Sequence, residues 1–186
     1  MYKYQCHTTM YQAVEHYAQS NPDKIAVYSD GHAFSYRKLL EKIQVVSVLL
    51  KKAEMVSGDR VGVDCQGKLN FLISMIACMA SGGIPVPLPT NNVTDFELVF
   101  GDCTPKSIIY DALSKVKMKF LTEKQNSTLI DISLLNKSEN QMFQVSETVE
   151  SNDVAMMLYT SGTTGNKKGV QISYGNLQAV VSYVIE

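Results

Sequence analysis

At 186 residues, with 45% hydrophobic and 19% charged residues, the chain is long enough to bury a core and too apolar to be disordered. Its formal net charge of −1 gives no electrostatic case for a nucleic-acid or anionic-membrane partner. No stretch approaches the ~18 consecutive apolar residues of a membrane-spanning helix.

The opening Met1-Tyr2-Lys3-Tyr4-Gln5-Cys6-His7 lacks the apolar centre of a secretion signal. Cys6, Cys65, Cys78 and Cys103 are widely spaced, with no C-x-x-C pair, and read as buried free thiols. Cys6-His7 has no second ligand pair, and His16 and His32 stand alone. The expectation is a cytoplasmic protein in a reducing compartment, with no metal site built from these residues.

In chain order, Thr8–Ser20 places Met10, Ala13, Val14, Tyr17 and Ala18 at helical spacing. Asn21-Pro22-Asp23 ends that helix. Lys24–Ser29 predicts a strand, Asp30-Gly31 a tight turn and Ala33–Ser35 the hairpin partner. Ser35 is positioned to cap a long helix over Tyr36–Lys52. Gly58-Asp59 turns into a strand over Arg60–Asp64, and Lys68–Ser81 predicts a helix nearly apolar all round, hence buried between layers. Gly82-Gly83 stops it. The proline-interrupted Ile84–Pro89 predicts a strand confined to a sheet edge or leaving the sheet quickly.

Thr94–Cys103 reads as a helix, and Ser107–Asp111 and Thr128–Ile132 as strands. Asn136–Asn152 is polar with an acidic lean and predicts a solvated connector, through about residue 153, whose charges serve solubility alone. Val154–Tyr159 predicts a buried strand, Val170–Ser173 another, and Tyr174–Ile185 the start of a helix. Strands alternating with helices give an α/β layered architecture, a mostly parallel sheet flanked by helices.

Between those last strands lies Tyr159-Thr160-Ser161-Gly162-Thr163-Thr164-Gly165-Asn166-Lys167-Lys168-Gly169. Glycines allow close approach to a ligand, and successive backbone N–H groups can line an anion-binding concavity. Hydroxyls add neutral donors, and lysine adds a mobile charge suited to phosphate. The run is not a Walker A loop, because the fifth residue after Gly162 is Lys167 rather than Gly.

This run resembles Y-T-S-G-T-T-G-x-x-K-G-V, the phosphate-loop signature of the adenylate-forming enzymes: acyl-CoA synthetases, luciferases and the amino-acid-activating domains of peptide synthetases. Phe34-Ser35-Tyr36-Arg37-Lys38-Leu39 resembles their [LF]-[ST]-Y-x-E-L motif, with Lys38 in place of Glu. Gly58-Asp59-Arg60-Val61-Gly62-Val63 resembles G-D-R-V-A-[IV], and Ala80–Leu88 resembles A-G-x-x-x-V-P-L. Gln171–Leu177 resembles x-x-[ST]-[HY]-x-N-L. These flanking motifs are architectural: Tyr36 and Leu39 read as core contacts, and Arg60 as a surface or ion-pair residue. Within the loop, Lys167 stands where the family usually has proline, and Lys168 keeps the family's lysine place.

The resemblance implies ATP-dependent activation of a carboxylic acid, with Mg²⁺, to an acyl- or aminoacyl-adenylate and pyrophosphate, then transfer to a thiol. It assigns ATP phosphate binding to Thr160, Ser161, Gly162, Thr163, Thr164, Gly165 and Lys168, with no catalytic residue in this stretch. The family's adenine, ribose, Mg²⁺ and catalytic-lysine elements follow further downstream, whereas the sequence ends about seventeen residues after Gly169. The expectation is therefore the N-terminal portion of an AMP-binding domain, inactive by itself. The acceptor is a phosphopantetheine carrier protein, as in amino-acid-activating domains, or CoA. A fatty acyl-CoA or acyl-AMP ligase remains an alternative, favoured by Pro89 where amino-acid-activating domains have Asp. So does a non-enzymatic remnant that binds only phosphate or protein.

Overall fold

Thr9 opens the first helix. Its hydroxyl accepts the Gln12 N–H at 3.2 Å while Gln12 Oε1 accepts the Thr9 N–H at 3.1 Å, a reciprocal capping box. The computed structural model describes residues 9–89, 91–112, 115–124, 127–133, 135, 149–161 and 167–185. Helix α1 (Met10–Ser20) buries Tyr11 and Val14. Strands β1 (Ile25–Ser29) and β2 (His32–Ser35) form an antiparallel hairpin. Its two turn residues, Asp30 and Gly31, both have positive φ (51° and 78°), the conformation a tight hairpin turn demands.

Ser35 Oγ accepts the Lys38 N–H at 3.4 Å and starts α2 (Tyr36–Lys52). Leu39, Ile43, Val46 and Leu50 recur at helical spacing and are buried. Tyr36 stacks on Tyr17 at 5.0 Å between ring centroids, fastening α2 to α1.

Four parallel strands form the central sheet in the order β4 (Ile84–Pro87), β3 (Arg60–Asp64), β5 (Ser107–Tyr110) and β6 (Thr128–Asp131). One face carries Val61, Val63, Ile109 and Ile130, packed with α2 and α3 (Lys68–Ala80). Every residue of α3 from Ile73 to Ala80 is buried, as its all-round apolarity requires. Against the other face, Ile108, Val86 and Leu88 meet Phe96, Val99 and Phe100 of α4 (Val93–Cys103) and Leu121 of α5 (Lys115–Lys124). Gly62 makes that closeness possible, because a Cβ there would lie 2.7 Å from Leu88 Cδ1. Helices on both faces of a parallel sheet make a layered α/β domain.

Strand β4 lies at the sheet edge, as its prolines predict. Ile84 and Leu88 donate their N–H groups to the carbonyls of Asp59 and Val63, at 2.8 and 2.9 Å. Alternation along the strand therefore turns the nitrogens of Pro85 and Pro87 away from β3, where they need no hydrogen.

The remaining strands, β7 (Val154–Ser161) and β8 (Lys167–Ser173), form a separate two-stranded antiparallel sheet followed by α6 (Tyr174–Ile185). β7 is half-buried rather than wholly buried. Ala155 and Met157 are enclosed, the residues between them are partly open, and Thr160 is exposed. The cause is that only one face of a two-stranded ribbon can pack on the domain.

Helix α5 is an element that sequence patterning did not supply. Most of the expected connector, residues 136–148, lies outside the described residues. At its end the Asp153 carboxylate accepts the Glu150 N–H at 2.7 Å, so that acidic group closes a turn rather than serving solubility alone.

Candidate functional site

The hairpin register places the sequence-predicted loop. Tyr159 pairs with Gly169, Thr160 with Lys168 and Ser161 with Lys167, so the glycine- and threonine-rich stretch connects two adjacent strand ends. Gly162, Thr163, Thr164 and Gly165, with Asn166, lie outside the described residues. Thr160, Ser161 and Lys168 fall within them, on the two limbs that enter and leave the loop.

Residues paired across a ribbon share a face, and neighbours along a strand alternate. Tyr159, Lys167 and Gly169 thus occupy one face, while Thr160 and Lys168 occupy the other. Both Thr160 and Lys168 are exposed, and they bring a hydroxyl-bearing and an ammonium-bearing side chain to the same side of the hairpin. That pairing suits an anion: one neutral donor and one charged donor, with the glycine-rich backbone between them.

The opposite face is fixed to α4. The Tyr159 hydroxyl donates to the Asp102 carboxylate. Burial, and then that carboxylate, push the Tyr159 phenol well above its ordinary range, so it remains a donor throughout the physiological range. Gly169 allows the ring to cross the neighbouring strand, since a Cβ there would lie 3.1 Å from Tyr159 Cζ and 3.2 Å from Met157 Sδ. Lys167 Nζ pairs with Asp95 Oδ2 at 2.9 Å. Neither contact was legible in the sequence, because α4 lies far upstream and acidic residues on a surface helix ordinarily face water.

Downstream, α6 is anchored at its start. The Ser173 hydroxyl accepts the Asn176 N–H at 3.2 Å, and Asn176 Oδ1 accepts the Ser173 N–H at 3.0 Å. The Gly175 N–H reaches the Ser151 carbonyl at 2.8 Å, where any Cβ would collide with the Ser151 side chain. The Tyr174 hydroxyl reaches the Met79 carbonyl of α3 at 3.4 Å. The motif Ser173-Tyr174-Gly175-Asn176 is thus a structural clamp behind the loop.

Arg60 is exposed and donates to Thr104 Oγ1 at 3.0 Å, a surface role. Cys65, Cys78 and Cys103 are free and buried, while Cys6 lies outside the described residues. Among the described residues no group of three or more His, Cys, Asp or Glu side chains could hold a metal ion, and no helix is long and apolar enough to cross a membrane.

The sequence-wide comparisons agree with this architecture. Hybrid PKS-NRPS synthetase LUC5 of Fusarium sp is 31% identical over 171 residues, covering 91% of this chain and 4% of that protein. Bacitracin synthase 3 of Bacillus licheniformis is 26% identical over 181 residues, covering 96% of this chain and 3% of that protein. The chain therefore spans only a small part of the length of these relatives.

Among solved structures, the fatty acyl-adenylate ligase from L. pneumophila, in complex with acyl adenylate and pyrophosphate, superposes with a TM-score of 0.78. It is 22% identical, over 96% of this chain and 32% of that one. The Klebsiella oxytoca NpsA N-terminal subdomain superposes with a TM-score of 0.75 at 22% identity, over 89% of this chain and 41% of that one. These likenesses establish the shared fold.

A family profile described as AMP-binding enzyme matches residues 14–185, nearly the whole chain. Together with the helix-flanked parallel sheet and the hairpin that carries the loop, it establishes that the chain belongs to the adenylate-forming AMP-binding enzymes.

Proposed function

We propose that this chain is the N-terminal portion of an adenylation domain and contributes the phosphate-binding half of its ATP site. The observation that carries this reading is the exposed cross-strand pair Thr160–Lys168, which flanks the glycine-rich stretch on one face of the hairpin. Thr160, Ser161, Gly162, Thr163, Thr164, Gly165 and Lys168 hold the β- and γ-phosphates.

In the reaction, a carboxylate oxygen bonds to the α-phosphorus while the bond from that phosphorus to the bridging oxygen breaks. Acyl-AMP forms and pyrophosphate leaves. A thiol then attacks the acyl carbonyl and AMP departs. The loop's contribution is positioning and charge stabilisation of the departing pyrophosphate. Adenylate formation needs no base, since a carboxylate is already ionised at neutral pH, while the thiol of the second step gives up its proton as the thioester forms. Mg²⁺ supplies further phosphate charge neutralisation in such chemistry. Among the described residues no group of three or more His, Cys, Asp or Glu side chains could hold it, and no step here is routed through it.

The substrate favoured is an amino acid, with a phosphopantetheine carrier protein as thiol acceptor and the cytoplasm as location. Support comes from similarity to PKS-NRPS and peptide synthetases over most of the chain. Fatty acyl activation with CoA or a carrier as acceptor is the second reading, favoured by Pro89, two residues beyond the end of β4. Amino-acid-dependent exchange of labelled pyrophosphate into ATP by the complete enzyme, compared across amino acids and fatty acids, tests the assignment. Exchange with fatty acids alone overturns the first reading, and exchange with neither overturns both.

A further inference from the structure

Two lysines leave the loop as neighbours in sequence and point to opposite sides of the hairpin. Lys168 shares the open face with Thr160, whereas Lys167 faces α4 and places Nζ 2.9 Å from Asp95 Oδ2. The two side chains of that ion pair are only 23% and 31% exposed, so water screens the pair incompletely.

Asp95 is held at the start of α4. It is the third residue of α4, in the first turn, where the helix dipole favours a carboxylate. Its own N–H is accepted by Asn92 Oδ1 at 3.1 Å, which fixes the helix end. Seven residues on, and so on the same helix face, Asp102 receives the Tyr159 hydroxyl. Helix α4 therefore grips both limbs of the hairpin, the entry limb through Tyr159 and the exit limb through Lys167. The loop pattern that this chain resembles has proline at position 167, whose ring restrains φ. Here an ion pair to a neighbouring helix supplies the restraint.

We infer that Asp95 is a positioning residue for the phosphate loop. It pins the exit strand against α4 and neutralises Lys167, so that Lys168 alone presents its charge to phosphate. The inference rests on the loop reading given under the proposed function, and its test separates the two.

Amide hydrogen exchange of β8 and pyrophosphate binding by titration calorimetry are measured on the wild-type chain and on variants. Asp95→Asn and Lys167→Met are each expected to speed exchange over residues 167–170 by about two- to five-fold, the range of a partly exposed ion pair. The double exchange Asp95→Lys with Lys167→Asp restores protection, which a merely local packing change would not do. For pyrophosphate, Lys167→Met leaves affinity within about two-fold, whereas Lys168→Met lowers it about ten-fold or more, as loss of a charge-assisted hydrogen bond does. Unchanged exchange in Asp95→Asn, no rescue by the charge swap, or equal pyrophosphate losses at the two lysines overturns the inference. If neither lysine variant alters pyrophosphate binding, the loop reading falls instead. The exchange data then still decide whether Asp95 positions the strand.

Discussion

Lys117 Nζ lies 2.9 Å from Oδ1 and 2.8 Å from Oδ2 of Asp64, with the two side chains only 3% and 1% exposed. The ammonium also donates to the Pro89 carbonyl at 2.8 Å and sits 4.5 Å from the centroid of the Phe96 ring. It thus joins α5 to the ends of β3 and β4 and to α4. Burial pushes the Asp64 carboxyl above its usual range, against the pull of Lys117, so desolvation outweighs pairing. Such a pair adds little net stability while intact, and removing one member is what harms the fold.

Replacing Lys117 with Met is accordingly expected to destabilise the protein by about 3–5 kcal/mol, because Asp64 is left buried without its partner. The double variant Asp64→Leu with Lys117→Met recovers most of that loss. Urea midpoints of the three proteins check it, and a single variant as stable as wild type contradicts it.

Gly169→Ala tests the crossing of the hairpin by Tyr159. The new methyl meets Tyr159 Cζ and Met157 Sδ, and the ring cannot retreat without loosening its hydrogen bond to Asp102. A loss of about 1–3 kcal/mol is expected, the usual cost of overpacking. The same denaturation assay reads it, and Tyr159→Phe in the Gly169→Ala background should cost less than in the wild type.

Lys168→Ala is expected to slow ATP-dependent adenylate formation by the complete enzyme about ten- to hundred-fold. The side chain is exposed, so the denaturation midpoint should move by less than about 0.5 kcal/mol. A silent Lys168→Ala beside a crippling Lys167→Ala would transfer the phosphate role to the neighbouring lysine.

Alkaline pH should weaken the fold. Burial pushes the Cys65 and Cys103 thiols up to about 12, whereas a free thiol titrates at about 8.5. Between those values the folded chain holds protons that the unfolded chain releases, so stability falls as pH rises through that window. Each thiol contributes a slope of up to about 1.4 kcal/mol per pH unit. Unfolding measured from pH 8 to 10.5 should show the decline, and Cys65→Ala and Cys103→Ala should each flatten it. A stability profile flat across this range contradicts the expectation.

The parts of the fold legible in the sequence are those where local chemistry and final packing agree. Ser35 caps α2, Asp30-Gly31 turns the first hairpin, and the largely apolar α3 is buried from Ile73 onward. The prolines of β4 put that strand at an edge. Less legible was Lys115–Lys124, where lysines interrupt any apolar stripe, and Lys117 in particular, a residue type that ordinarily faces water. In the site, the glycines, hydroxyls and Lys168 were visible as chemistry. Their supports, Asp95 and Asp102, were not. Charges on a helix carry no sign of the distant strand they will meet, and only tertiary packing brings α4 to the hairpin.

The prolines of β4 bear on how the loop's strand pair is mounted. With the nitrogens of Pro85 and Pro87 turned outward and bare of hydrogen, the outer rim of the four-stranded sheet cannot extend its ladder regularly. Among the described residues, β7 lies beside β4 without joining it in a hydrogen-bonded ladder. The same blank rim also gives a second molecule no template along which to add a strand.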